Sequence, residues 1–120
     1  MAPVLLAVGD LLFRSKIRAV AKQLGIETAT ATTREEILAS ARATRPPLVI
    51  FDLDDPRSDP VATIGALKSD PALEGVRTVG FLSHVHVELM EAAQAAGCDE
   101  VLPRSAFAQR LGDILQGALA

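Results

Sequence analysis

The chain has no tryptophan, no tyrosine and one cysteine, and aromatic residues make up only 3% of it. A single thiol, Cys98, excludes an internal disulfide and cannot build a cysteine metal cluster. An excess of positive charge is also missing: 12 Lys and Arg stand against 15 Asp and Glu, a formal net charge of -3. Without a basic field to hold phosphates, neither nucleic acid nor an anionic membrane is expected as a direct partner. Long apolar runs are absent too. The opening stretch from Met1 to Asp10 lacks a charged leader, and its apolar part is too short for a signal peptide or a membrane span. A soluble, cytoplasmic protein is the expectation. Nor does a glycine-rich loop follow the first apolar run. Asp10-Leu11-Leu12-Phe13 puts an acid and bulky side chains where a nucleotide or flavin phosphate would need small residues.

What is present is an alternation. The 120 residues are 49% apolar, much of it alanine, enough for one domain with a core of helices lying close on a sheet. Short, near-continuous apolar runs occupy Val4 to Val8, Ile26 to Thr30, Leu48 to Phe51, Val76 to Leu82 and Val101 to Leu102. Such runs fit strands buried on both faces of a parallel sheet. The second is polar enough (Glu27, Thr28, Thr30) to lie at an edge.

Helical patterns fill the intervals. Phe13, Ile17, Val20 and Leu24 share one helical face, Arg14, Lys16, Arg18 and Lys22 take the wetter side, and Gly25 closes the helix. Thr33 and Glu36 form a capping box that opens a helix running to about Thr44. Pro46 and Pro47 then enforce an extended entry to the third strand. Pro60 suits the first turn of a third helix ending near Ser69-Asp70-Pro71. A fourth helix runs from about Val85 to Ala96, and a fifth carries Phe107, Leu111, Ile114 and Leu115 on one face. Five βα units with no linker, repeat or low-complexity stretch predict one α/β domain over residues 1–120. Right-handed crossovers favour a doubly wound parallel sheet of strand order 2-1-3-4-5.

In such a sheet the functional crevice lies outside the carboxyl ends of the strands. The residues just past each apolar run are Gly9-Asp10, Asp52-Leu53-Asp54-Asp55-Pro56, Ser83 and Pro103-Arg104. Carboxylates, a hydroxyl and a cation converging there suit phosphoryl chemistry. A carboxylate can be the nucleophile, another can help hold a divalent cation, and the hydroxyl and guanidinium can bind phosphoryl oxygens.

On the stretches Pro3 to Asp10, Leu48 to Pro56 and Gly97 to Arg104, the sequence resembles the receiver domain of bacterial two-component response regulators over essentially its whole length. The resemblance implies a flavodoxin-like receiver fold and a signalling domain rather than an enzyme. It implies Asp52 as phosphoacceptor, with Asp10, Asp52 and the Asp54 carbonyl holding Mg2+, the switch hydroxyl on Ser83 and the family's lysine replaced by Arg104. The implied partners are a histidine kinase, a phosphotransfer protein or another signalling protein. A homodimer would use the fourth helix, fifth strand and fifth helix. No attached output domain is expected.

Four departures bear on that site. Gly9 stands where the family has the first of two acids, which weakens Mg2+ binding. Arg104 is a planar fork rather than an ammonium. Val101 falls where the family often has the aromatic that pairs with the switch hydroxyl, and Ser105 replaces a proline. A pseudo-receiver, working by contact without phosphate, is therefore the alternative. A more distant one is a haloacid-dehalogenase-type phosphatase, with Asp52 as nucleophile and Asp54 as general acid and base. Against it, Pro56 stands where Thr or Val is usual, and no acidic pair follows the fourth strand.

The remaining candidates have plainer readings. His84 and His86 at i, i+2 point apart and read as polar residues on a loop lip, with His84 bordering the pocket. Cys98 reads as a small buried hydrophobe. The basic stripe of the first helix reads as a solvated face. Asp55 is read evenly as a site residue or a solvated loop acid.

Overall fold

The computed structural model describes residues 2–83 and 85–117. Five strands and five helices alternate along it: β1 (Val4–Ala7), α1 (Leu11–Gln23), β2 (Thr28–Thr30), α2 (Arg34–Thr44), β3 (Leu48–Asp52), α3 (Pro60–Ser69), β4 (Arg77–Leu82), α4 (Val87–Ala95), β5 (Glu100–Pro103) and α5 (Arg104–Gly117). All pairings are parallel and the strand order is β2-β1-β3-β4-β5, as the alternation predicts. None of the described helices is long and apolar enough to cross a membrane.

Side chains alternate across the sheet, so each strand feeds two cores. Val4, Leu6, Leu48, Ile50, Val79 and Phe81 pack with Ile17 and Ala21 of α1 and Phe107, Leu111 and Leu115 of α5. On the opposite face Leu5, Ala7, Val49 and Phe51 meet Ile37 and Ala41 of α2, Ile64 and Leu67 of α3 and Ala93 of α4. Alanine at these helix positions lets the helices approach the sheet closely. The central strands β1 and β3 are buried throughout, whereas β2 is half-buried to exposed, as an edge strand should be.

Helix ends follow their sequence signals. The capping box is complete: Thr33 Oγ1 accepts from the Glu36 N–H, and Glu36 Oε1 accepts from the Thr33 N–H. Pro60 occupies the first turn of α3. Gly25, at φ 73°, takes the left-handed conformation that closes α1. The fourth helix begins at Val87 rather than Val85, because the His86 N–H bonds to the Ser83 carbonyl in a separate turn.

Opposite the carboxyl ends of the strands, Asp99 ties β4 to the approach of β5. Its Oδ2 accepts from the Thr78 N–H (2.8 Å), the Thr78 hydroxyl (3.1 Å) and Lys68 Nζ (2.5 Å). Burial pushes the Asp99 carboxyl up, but Lys68 and Thr78 outweigh it and hold it below the ordinary carboxylate range. Nearby, Cys98 is buried with its Sγ against the Thr78 and Glu100 carbonyls. Burial raises its thiol above the usual range, as befits a packing residue rather than a reactive one.

Removing the Asp99 carboxylate leaves the donors of the fully buried Thr78 unpaired. Asp99→Ala should therefore lower unfolding free energy by about 1–3 kcal/mol in urea titrations. Because the native pKa is depressed, wild-type stability from this group is present above the unfolded carboxylate pKa. It is lost as pH falls through the folded value. The gap between wild type and variant should therefore narrow in acid.

Candidate functional site: carboxylates bridged by an arginine

The carboxyl ends of β1, β3, β4 and β5 open onto one lip, and the predicted residues meet there. Register pairs Ala7 with Phe51, Asp52 with Phe81 and Leu82 with Pro103. Asp10, Asp52, Ser83 and Arg104 are consequently brought together from separate parts of the chain.

Arg104 is the hub. Its Nη1 donates to Asp10 Oδ2 at 3.2 Å, and its Nη2 lies 3.7 Å from both Asp52 Oδ1 and Asp54 Oδ2, an ion-pair distance. The guanidinium carbon stands 5.1 Å from the ring centroid of Phe13 and 5.2 Å from that of Phe81. Those two rings and Phe107 form one cluster, with centroids 4.7 to 5.8 Å apart. A planar cation suits that platform and a carboxylate rim at once.

Asp10 does more than face the lip. As N-cap of α1 its Oδ1 accepts from the Leu12 and Phe13 N–H groups at 3.0 and 3.1 Å. The Phe13 N–H, against some burial and with help from Arg104 and the Leu12 N–H, holds its carboxyl below the ordinary range. Asp52 behaves oppositely. It is 4% exposed, and burial pushes its carboxyl up despite the Asp54 N–H at 3.1 Å and the charge of Arg104.

Asp54 turns its side chain toward β4 and α4. Oδ2 accepts from the Ser83 N–H at 2.9 Å, and Oδ1 lies 2.6 Å from His86 Nδ1, a geometry in which that nitrogen carries the proton. With both oxygens engaged, Asp54 is badly placed to serve as the general acid and base of a phosphatase. His86 thus reaches the site, and His84 lies outside the described residues. Sequence reasoning passed over this link, which only the turn from Ser83 to His86 creates. Val101, by contrast, is half-buried and packs on the α2–α4 side.

Asp55 is not a solvated loop acid. It is 9% exposed, caps a one-turn 3-10 helix (Pro56–Ser58) through the Arg57 N–H, and grips the Arg57 guanidinium by Nε (3.1 Å) and Nη2 (3.3 Å). Arg57 was no candidate from sequence. The Asp-Pro-Arg spacing, an N-cap acid with a cation two residues on, is the signal that would have found it. Beside the lip, a groove of about 770 Å³ between Leu53, Pro56 and Pro60 and the start of α4 is floored by apolar side chains and edged by His86.

A five-stranded parallel sheet of order 2-1-3-4-5, with its acids at the carboxyl edge, is the receiver fold. Solved structures agree. A response regulator from Hahella chejuensis superposes with TM-score 0.87 at 19% identity, over 100% of this chain and 96% of that one. Chemotaxis response regulator CheY4 of Vibrio cholerae gives 0.82 at 21%, over 98% of both chains. The receiver domain of NtrX from Brucella abortus gives 0.78 at 24%, over 97% of both. At these identities the likeness is one of fold. No family model matches the chain, and no curated protein matches it.

Because burial raises the native pKa of Asp52, its ionised form costs stability above the unfolded carboxylate pKa, and the cost vanishes in acid. Asp52→Asn keeps an oxygen for the Asp54 N–H and removes the buried charge. It should unfold at equal or higher urea than wild type at neutral pH, with the advantage disappearing below the carboxylate range. A large loss at neutral pH would show that the Arg104 pairing outweighs burial.

Proposed function

We propose that this chain is a receiver-type signalling domain, not an enzyme, that works through protein–protein contact without needing phosphate on Asp52. One observation carries the reading: the guanidinium of Arg104 already spans Asp10, Asp52 and Asp54. A phosphoacceptor site needs those groups turned to a divalent cation. The Mg2+ implied by the resemblance fits poorly here. Its two side-chain ligands, Asp10 and Asp52, face an arginine, and position 9 offers no carboxylate. Among the described residues, no three His, Cys, Asp or Glu side chains are grouped to hold a metal.

Contact is supported by the rim. Leu11 and Leu12 at the start of α1 and Val85 and Val87 at the start of α4 are exposed, large apolar side chains near the carboxyl edge. The partner in this reading is another signalling protein, a histidine kinase or a phosphotransfer protein among them. The face of α4, β5 and α5 is the surface proposed for a second copy.

The second reading is phosphorylation of Asp52, favoured by its place at the end of β3 with Ser83 and Arg104 beside it. An Asp52 oxygen would then attack phosphorus in line, forming the O–P bond as the donor's bond to phosphorus breaks. Amide NMR decides between them, with Mg2+ added first and beryllofluoride second. On the contact reading, amides of Asp10, Asp52 and Ser83 show no saturable shift with either. Saturation by Mg2+ and a second shift with beryllofluoride, both lost in Asp52→Asn, would establish a phosphoacceptor instead.

A further inference from the structure

The residue missing from the acid pair, Gly9, is not followed by empty space. A Cβ built on it would clash with Arg57 Nη2 and Asp55 Oδ2. Arg57 is more than half exposed, so what fixes it is its partner. Asp55 is buried and fixed by capping its turn, and it holds Arg57 at two points, Nε and Nη2. Such a fork has less freedom to withdraw than a single contact. The lip geometry places this pair beside the other acids. Gly9 precedes Asp10 in the chain, and the pairing of Ala7 with Phe51 carries the ends of β1 and β3 forward side by side. Hydrogen bonding and charge from Asp55, and the charge of Asp52 after them, raise the Arg57 guanidinium further above its ordinary range.

We infer that Arg57 is a second resident cation of this acid site beside Arg104, seated over Gly9 by Asp55 where a side chain at position 9 would otherwise stand, so that the chain's own guanidiniums take the place of a divalent ion. The inference rests on the contact reading above and gives it a cause. Asp10, Asp52, Asp54 and Asp55 share two guanidiniums: Arg104 reaches the first three, and Arg57 holds the fourth. Gly9 then has a positive role. It is the residue that admits Arg57, and an acid there would displace the cation while adding another carboxylate. Arg57 is in these terms a positioning residue, acting on the occupancy of the site rather than on a substrate.

The experiment uses Mn2+ as probe, read by paramagnetic broadening of amides around Asp10 and Asp52, on wild type, Arg57→Gln, Arg57→Ala and Arg57→Lys. Gln keeps a donor for Asp55 and guards against loss of fold in the alanine variant. Removing a unit positive charge beside the carboxylates should tighten Mn2+ binding by about tenfold or more in Gln and Ala, while Lys stays near wild type. A stability cycle with Gly9→Ala is the second arm. That substitution should destabilise wild type and cost clearly less in the Arg57→Ala background, because losing Arg57 removes one of the two groups a Cβ would meet and frees the other, the Asp55 carboxylate, to turn away. Unchanged Mn2+ affinity in the neutral variants, or additive stability effects in the cycle, would overturn the inference while leaving the contact reading intact. A wild-type response to Mg2+ and beryllofluoride would instead overturn the contact reading itself.

Discussion

Four carboxylates crowd one end of this sheet, and the fold is tenable there because guanidinium groups stand among them. Like charges at the ends of neighbouring strands repel, and one of the four, Asp52, is almost wholly out of water. Desolvation and repulsion both raise the cost of its charge. Arg104 answers this with a cation held on two sides: by the Phe13 and Phe81 rings beneath and by Asp10, Asp52 and Asp54 around it. A lysine could supply the charge. Its single ammonium could not stand over two rings and reach three acids with separate nitrogens.

The two ends of the sheet show how one acidic composition serves two purposes. Asp99, at the other end, has every donor it needs from Thr78 and Lys68, and its carboxyl is lowered as a purely structural group's should be. Asp10 at the site is lowered too, chiefly because it caps α1. Asp52 alone is raised, since burial outweighs the one N–H and the more distant arginine. A carboxylate raised by burial at the edge where Asp10 is lowered marks where the fold tolerates local cost.

The fold was legible almost entirely from residue order. Buried parallel strands carry continuous apolar runs, helix ends carry Thr33–Glu36, Gly25 and Pro60, and handedness does the rest. The predicted site residues Asp10, Asp52, Asp54 and Arg104 do converge, because strand ends in a doubly wound sheet must share one edge. What the sequence hid were contacts that depend on loop paths. The turn from Ser83 to His86 delivers an imidazole to Asp54, and the single turn after Asp55 folds Arg57 back over Gly9. Periodicity is silent on both. The fate of Asp55 was only half hidden: the Asp-Pro-Arg pattern marks a cap with a cation beside it, but nothing in it tells a buried cap from a solvated one.

On the contact reading, these loop contacts give the site a role without chemistry. Asp54 links the end of β3 to the threshold of α4 through Ser83 and His86, and Asp10 links the cap of α1 to the first residue of α5 through Arg104. The acid cluster therefore fastens the beginnings of three helices to the sheet edge. An event that redistributes its cations, whether a partner's charge or a group on Asp52, changes what holds α1, α4 and α5 at their N-termini. Coupling of that kind needs no new bond. It needs two arrangements of the same charges, close in free energy, and a partner that binds one better than the other. A cluster balanced by two arginine side chains, rather than by a covalent or closed cage, is the kind of element in which two such arrangements can coexist.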